Sequence, residues 1–235
     1  MKKYPVSFAN KVSSFLTQLQ PDFNCPRGIQ VLNPYVDERV KKVVSDFYTR
    51  YYADVNTRIF LFGINPGRLG SGVTGISFTD PVQLKNVADI DHPFALKAEL
   101  SSKFVYEMID RYGGLELFCN SFFLTAISPV GFTRGGKNLN YYDDELLESR
   151  VRPFIIRKIE EQCMFGASRE LAICLGEGQN FKYFKGLNEE FGWFKEIKAL
   201  PHPRWIMQYR RKDLHTFISR YVETLKSAAD LLKIS

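Results

Sequence analysis

Residues 60–78 of the chain read FLFGINPGRLGSGVTGISF, a stretch that passes from an apolar run into a glycine-rich loop. The apolar run, residues 58–64, is short, continuous and bounded by turn-forming residues, as is typical of a strand buried on both faces. The loop lacks the lysine of a phosphate-binding loop and the glycine spacing of a dinucleotide-binding fingerprint. We therefore expect a buried strand followed by a loop with few bulky side chains. The backbone of this loop and the side chain of Asn65 are expected to contact a ligand.

Two more apolar runs of this kind follow, at residues 121–127 and 171–175, and residues 194–200 predict a fourth strand. Segments with apolar residues three and four positions apart predict helices at residues 6–19, 37–51, 100–112, 144–165 and 178–191, and from Asp213 onward. Pro153 is expected to kink or split the helix that contains it. Short buried strands that alternate with helices predict an α/β fold, a three-layer α/β/α arrangement with a central four-stranded, mainly parallel sheet. No linker interrupts the pattern, so we expect a single domain over residues 1–235.

The composition is that of a soluble globular protein with an excess of basic residues. The chain has 235 residues, 45% of them hydrophobic, and a formal net charge of +6. It has neither an apolar run of membrane-spanning length nor a secretory signal, so we expect a cytoplasmic location and no membrane partner. The cysteines at positions 25, 119, 163 and 174 form no C-x-x-C pair. They are expected to be reduced structural thiols, with no metal site and no cofactor.

Ligands of parallel α/β sheets bind outside the carboxyl ends of the strands, so the loops at those ends hold the candidate site residues. In the first loop, Gly67 and its neighbouring glycines allow the backbone to approach a ligand closely, and Phe78 offers a stacking ring. Residues 128–142 are expected to form a second loop, with Ser128 and Asn138 as polar candidates. The alternative for both segments is an ordinary polar surface loop.

Residues 201–212, PHPRWIMQYRRK, are expected to form a loop that joins a histidine to large apolar residues and cations. Beside Arg204, Trp205 and Ile206 have the character of a wedge that opens a nucleic-acid duplex. Three consecutive cations are the expected phosphate contacts: Arg210, Arg211 and Lys212. The alternative is that Trp205 and Ile206 pack under the loop and that His202 is only a turn residue.

Together these segments resemble a known family. GINPGRLGSGVTGISF at residues 63–78 is similar to the first motif of the uracil-DNA glycosylase superfamily, in particular of its single-strand-selective monofunctional branch. HPR at residues 202–204 is similar to the second motif, and SFFLTAISPVGF, GKNLNYYD and VLNPY are similar to other stretches of the branch. The resemblance implies a sheet flanked by helices and the hydrolytic removal of a damaged base from DNA.

The resemblance also implies roles for individual residues. His202 matches the donor to the base oxygen, and Asn65 matches the position that orients the attacking water, where other branches carry aspartate. Because an amide is no base at neutral pH, Asn65 is expected only to position water, and catalysis depends on stabilising the leaving base. An aspartate at position 65 is accordingly expected to keep or raise activity. The substrate-binding residues are expected to be Gly63, Ile64, Gly67, Phe78, Ser128 and Asn138.

One position departs from the branch. The asparagine that reads the uracil edge in the branch is replaced by Ala126, which offers no hydrogen bond. Ser128, Asn138 or the backbone would have to replace it.

The sequence therefore predicts a monofunctional DNA glycosylase of base excision repair, a monomer without a cofactor that flips its target base out of the stack. Its partner is DNA that contains uracil or an oxidised or deaminated relative. The alternative is a catalytically weak nucleic-acid-binding module that retains the fold, against which the presence of both Asn65 and His202 argues. A hydrolase of free nucleosides would leave residues 205–212 without a purpose.

Overall fold

The computed structural model describes residues 5–233 and contains two β-sheets flanked by helices. Its strands are Ile29–Leu32 (β1), Arg58–Gly63 (β2), Phe122–Ala126 (β3), Gly131–Arg134 (β4), Lys137–Leu139 (β5), Ala167–Leu175 (β6) and Glu196–Leu200 (β7). Its α-helices are Phe8–Thr17 (α1), Glu38–Tyr51 (α2), Ser71–Thr74 (α3), Pro81–Asn86 (α4), Leu100–Tyr112 (α5), Leu115–Ser121 (α6), Glu145–Cys163 (α7), Gln179–Phe191 (α8), Pro203–Tyr209 (α9) and Leu214–Leu231 (α10). Residues 1–4 and 234–235 of the predicted domain lie outside the described residues.

The larger sheet has the strand order β3-β2-β6-β7, and each neighbouring pair is parallel. All six positions of β2 are buried, because β2 is an inner strand and the helices cover both faces of the sheet. The four strands correspond to the four strands predicted from the sequence. The predicted three-layer α/β/α fold with a four-stranded parallel sheet is confirmed.

This strand order creates a crevice at the carboxyl end of the sheet. The chain leaves β2 toward β3 on one side, whereas it leaves β6 toward β7 on the other. The carboxyl ends of β2 and β6 are therefore a topological switch point, where α/β proteins bind their ligands. Asn65 follows β2, and His202 follows β7, the neighbour of β6.

The amino end of β2 is anchored by Arg58, which is fully buried. Its guanidinium lies 4.4 Å from the centroid of the Phe8 ring and 4.8 Å from that of Tyr52. Its Nε donates a hydrogen bond to the Cys119 carbonyl oxygen (2.6 Å), and its Nη2 pairs with Asp54 (2.8 Å). These contacts satisfy a charge that would otherwise be costly to bury, and they fix the strand that presents Asn65 at its other end.

Residues 128–142, expected as a loop, contain a hairpin of β4 and β5 that pairs with β1 in a second, antiparallel sheet. The two-residue turn, Gly135 and Gly136, has φ values of 56° and 72°, the positive values that such hairpins require. At the start of β4, a Cβ on Gly131 would lie 2.1 Å from the Pro66 carbonyl oxygen. The small sheet therefore packs its backbone directly against the loop that follows β2.

Two helices also bear on the sequence-based expectations, and a kink at Pro153 stays a prediction. α7 runs unbroken from Glu145 to Cys163 with Pro153 inside it, so the helix is not split. α9 lies within the segment expected as a loop, with Pro203 at its first position and His202 as its N-cap. Proline is favoured at the first helical position because its missing N–H would have no partner there.

Candidate active site

A cavity of about 300 Å³ lies at the carboxyl edge of the larger sheet, a volume at the lower end of the range for small-molecule sites. Many of the site residues predicted from the sequence line it: Gly63, Ile64, Asn65, Gly67, Phe78, Asn138, His202, Arg204 and Trp205. The two motifs that are far apart in the sequence therefore meet at one cavity.

Asn65 is held by three hydrogen bonds to the backbone. Its Nδ2 donates to the carbonyl oxygens of Leu139 (3.3 Å) and Pro66 (3.4 Å), and its Oδ1 accepts the N–H of Tyr141 (3.2 Å). The segment that follows β5 thus determines which end of the amide is the acceptor. One lone pair of Oδ1 remains available, because a carbonyl oxygen accepts two hydrogen bonds.

His202 is held in one neutral tautomer by the cap of α9. Its Nδ1 accepts the backbone N–H of Arg204 (3.1 Å), so in the neutral ring the proton resides on Nε2. Burial, followed by the positive charge of Arg204, lowers the pKa of His202 to about 4. At neutral pH the imidazole is therefore an uncharged N–H donor at the cavity.

Phe78 forms a flat wall of the cavity. It has a φ of 54°, a conformation that costs energy for a non-glycine residue unless its surroundings hold it. On its C-terminal side, the Thr74 hydroxyl donates to the Thr79 carbonyl oxygen (2.6 Å). A Cβ on Gly63 would lie 2.8 Å from two ring carbons of Phe78, so only glycine leaves room for the ring there. The Phe78 and His202 rings lie 6.2 Å apart between centroids.

Asn138 connects the hairpin to the glycine-rich loop. Its Oδ1 accepts the backbone N–H of Arg68 (3.1 Å), and its Nδ2 would lie 3.3 Å from a Cβ on Gly67. Asn138 lines the cavity, as does the neighbouring Asn140. The amide that was expected to contact the substrate is thus partly committed to loop structure.

The position where the related branch reads the base carries no side-chain hydrogen-bonding group. Ala126 lines the cavity, and its carbonyl oxygen already accepts a hydrogen bond from Gln162 Nε2 (3.3 Å). Ser128 is fully buried outside the cavity, and its hydroxyl donates to the Val130 carbonyl oxygen (2.7 Å). The prediction that Ser128 contacts the substrate is therefore wrong for this structure, because the side chain faces the interior and its donor is already used.

α9 forms part of the cavity rim, and its packing contradicts one half of the predicted wedge. Ile206 is fully buried, so the prediction that it contacts DNA is wrong: the helix turns its side chain into the core. Trp205 is 41% exposed, packs edge-on against Phe217 (6.1 Å between centroids) and lies under the guanidinium of Arg210 (5.6 Å). Tyr209, one turn later, also lines the cavity and is 71% exposed.

Cations flank this rim. Arg210, Arg211 and Lys212 are exposed and, within residues 5–233, form no ion pair with an acidic side chain. The same holds for Arg68 and Lys137, which adjoin the cavity-lining residues Gly67 and Asn138 and which the sequence did not single out as DNA contacts. The charges near the cavity are therefore available to a polyanion.

Glu99 lines the cavity and was missed by the sequence analysis. Its Oε2 accepts the N–H of Ser102 (3.0 Å) as the N-cap of α5, and its Oε1 lies 3.8 Å from Nη1 of Arg204. The capping role could be predicted from the sequence, because a glutamate precedes the helical pattern of residues 100–112. The position of Glu99 beside Arg204 could not be predicted, because it depends on contact between α5 and α9.

Among residues 5–233 there is no group of three His, Cys, Asp or Glu side chains arranged to hold a metal ion. In the same range no helix is both long and apolar enough to span a bilayer. All four cysteines are free thiols.

Comparisons with known proteins agree with this architecture. A family model described as "Uracil DNA glycosylase superfamily" matches residues 49–226. The crystal structure of wild-type SMUG2 from Pedobacter heparinus matches with a TM-score of 0.94 and 39% sequence identity, over 96% of this chain and 100% of that chain. The search of curated proteins gave no match. The residues matched by the family model include all of those that line the cavity.

Proposed function

The chain belongs to the uracil DNA glycosylase superfamily, as its motifs predicted, and on this premise we propose that it is a monofunctional DNA glycosylase. It flips uracil or a related damaged base into the cavity beside Phe78 and hydrolyses the N-glycosidic bond. Base flipping is required because the bond is inaccessible inside a duplex.

The observation that carries this proposal is the convergence of two oriented side chains on one cavity. Asn65 and His202 both line it, and each is held by backbone hydrogen bonds in a single orientation. Groups fixed in advance lose little energy to reorganisation during the reaction, so they are effective even without a charge.

His202 supplies the stabilisation of the leaving base. When the glycosidic bond breaks, negative charge develops on the oxygens of the departing pyrimidine. The Nε2–H of the neutral imidazole donates to such an oxygen, and a lost donor of this kind typically slows an enzyme by about 10² to 10³. Because its pKa is about 4, His202 acts as a hydrogen-bond donor and not as a cation.

Asn65 supplies the position of the attacking water. Its Oδ1 has one lone pair engaged by the Tyr141 N–H and one lone pair for a water hydrogen. The amide cannot remove a proton from this water at neutral pH, so attack follows the development of positive charge on the sugar. The proton that the bound water then loses passes to the departing base anion or to solvent.

The cavity favours a monofunctional reaction. None of the described residues that line it is a lysine. A glycosylase that also cleaves the strand uses an amine that forms a Schiff base with the sugar, and no such group is present among these residues. Hydrolysis by water is therefore the step that the lining residues support.

DNA is expected to contact the rim of the cavity. Arg204, Arg210, Arg211 and Lys212 bind backbone phosphates, and Trp205 contacts the bases that flank the flipped nucleotide. Exposed cations and an exposed aromatic ring are the side chains that bind phosphates and stack on bases.

The experiment is single-turnover excision from single- and double-stranded oligonucleotides that each contain one modified base. The panel should include uracil, 5-hydroxymethyluracil, hypoxanthine and xanthine, because Ala126 leaves the base preference open. We expect excision of at least one base by the wild type, and loss of that excision with retained DNA binding in the Asn65→Ala, His202→Ala double variant. A folded wild type that binds DNA and excises no base would support the alternative, a binding module that retains the fold.

A further inference from the structure

We propose that Tyr141 and Asn180 are positioning residues, which set the orientation of the Asn65 amide through a buried chain of hydrogen bonds. The inference rests on the proposed function and names two residues outside the predicted site. Neither of them lines the cavity.

The first link is between Asn65 and the backbone at the end of β5. The Tyr141 N–H and the Leu139 carbonyl oxygen hold opposite ends of the Asn65 amide. Exchanging the two ends would bring the Tyr141 N–H against Nδ2 and the Leu139 oxygen against Oδ1. The backbone at residues 139–141 therefore decides whether Oδ1 is the atom offered to water.

The second link anchors that backbone to the core. The Tyr141 side chain is fully buried, and its hydroxyl donates to Oδ1 of Asn180 (2.8 Å). Burial raises the pKa of Tyr141 well above its usual value, so the hydroxyl keeps its proton at any working pH. A tyrosine fixed at both ends has little freedom to move its own backbone N–H.

The third link leads to the end of β7, two residues before His202. Asn180, which is 1% exposed, donates from Nδ2 to Sγ of Cys174 (3.3 Å), and the Cys174 thiol faces the Gly176 carbonyl oxygen (3.6 Å). The Gly176 N–H donates to Leu200 at the end of β7 (2.7 Å), and a Cβ on Gly176 would lie 4.0 Å from Cδ2 of His202. The chain therefore spans the switch point from the Asn65 side to the His202 side.

A neighbouring tyrosine provides a matched control. The Tyr183 ring lies 4.8 Å from the Tyr141 ring between centroids, and its buried hydroxyl has no hydrogen-bond partner among the described residues. Tyr141→Phe and Tyr183→Phe thus remove the same atom from the same aromatic cluster, but only the first breaks the chain.

The test compares single-turnover excision by the two variants on a base that the wild type removes. We expect Tyr141→Phe to lower the excision rate by about three- to tenfold, the usual effect of one lost buried hydrogen bond, with unchanged Kd for DNA. Tyr183→Phe should change neither value. In an Asn65→Ala background, Tyr141→Phe should cause no further loss, because its effect passes through Asn65. An equal loss in Tyr183→Phe, or the same loss in the Asn65→Ala background, would overturn the proposal.

Hydrogen exchange of the Tyr141 amide tests the positional link independently of excision. Tyr141→Phe should accelerate this exchange about tenfold relative to Tyr183→Phe, because the segment loses its anchor. Unchanged exchange would overturn the proposal even if excision declined. Accelerated exchange in a protein whose wild type excises no base would support the link to Asn65 and reject the proposed function.

Discussion

Replacing Asn65 with aspartate would have two opposing effects. One is on the charge of the transition state, and the other is on the hydrogen bonds that hold the side chain. A negative charge near the sugar favours the cationic transition state, and from the sequence alone Asn65→Asp is expected to keep or raise activity. The structure opposes this benefit. Nδ2 donates to two carbonyl oxygens, at 3.3 Å and 3.4 Å, and a carboxylate oxygen in its place would face both as a third acceptor.

The size of the effect follows from these contacts. A lost hydrogen bond that leaves partly buried acceptors unpaired costs about 1 to 3 kcal/mol. This corresponds to roughly 5- to 150-fold in rate if the amide must keep its position. The repulsion raises the pKa of the new carboxyl group, because the neutral form can still donate to the Leu139 oxygen. The new carboxyl group therefore contributes its full stabilisation at low pH. This contribution is lost as pH rises through the folded-state pKa of the group.

The assay is single-turnover excision and urea unfolding at pH 5 and pH 8, with Asn65→Ala as the matched control. We expect Asn65→Asp to excise about tenfold more slowly than the wild type at pH 8, with a smaller deficit at pH 5. Its unfolding free energy should fall by about 1 to 3 kcal/mol at pH 8 and by less at pH 5. Asn65→Ala should show no such pH dependence. Excision at pH 8 that matches or exceeds the wild type in a stable Asn65→Asp protein would refute the reasoning.

The other predictions concern His202 and the rim. His202→Ala should lower single-turnover excision by about 10² to 10³ with little change in DNA binding. Wild-type excision should not decline on account of His202 between pH 8 and pH 5, since its pKa is about 4. Because the folded pKa of His202 lies below the unfolded value, the unfolding free energy of the wild type should decrease as pH falls from about 6.5 to 4. Urea titrations of His202→Ala should not show this part of the decrease. Replacing Arg210, Arg211 and Lys212 with glutamine should weaken binding to DNA of every sequence. It should also reduce the slope of the log of the DNA-binding constant against log salt concentration by nearly one per lost phosphate contact. An unchanged slope would exclude these contacts. Trp205→Ala should cost more excision on duplex than on single strands if the ring opens the stack; equal losses would assign Trp205 to packing or general contact.

The central sheet could be predicted because its inner strands are buried on both faces along most of their length. A continuous apolar run bounded by turn formers, such as residues 58–64, has few other interpretations in a chain that alternates strands and helices. The same rule placed Asn65 and His202 at strand ends, and the parallel topology brought those ends to one edge. The convergence of these two residues was therefore predictable without knowledge of any side-chain contact.

The remainder of the site depends on contacts that have no local signature. β4 and β5 are four and three residues long, too short for their alternation to stand out from a glycine-rich loop. α9 begins at a proline after a capping histidine, which is a helix start, but its seven residues and the cations after it also fit a loop. This mistaken assignment explains the error at Ile206. In a loop the side chain would be free to point into solvent. On a helix its direction is set by the helix face on which it lies, and in α9 that face packs against the core.

The two oriented groups, taken together, constrain how such an enzyme would work. Neither the Asn65 amide nor the neutral His202 ring changes its charge near neutral pH, so no proton transfer to or from them drives the reaction. The rate then depends on how well the departing base carries negative charge and on how closely the cavity excludes water from it. The side chain of Ala126 offers no hydrogen bond, so selection of the base would fall to the Phe78 ring, the cavity shape, the backbone and the Asn138 amide. Recognition and catalysis would therefore share the same requirement: a base that fits the cavity tightly enough to place its oxygen against Nε2 of His202.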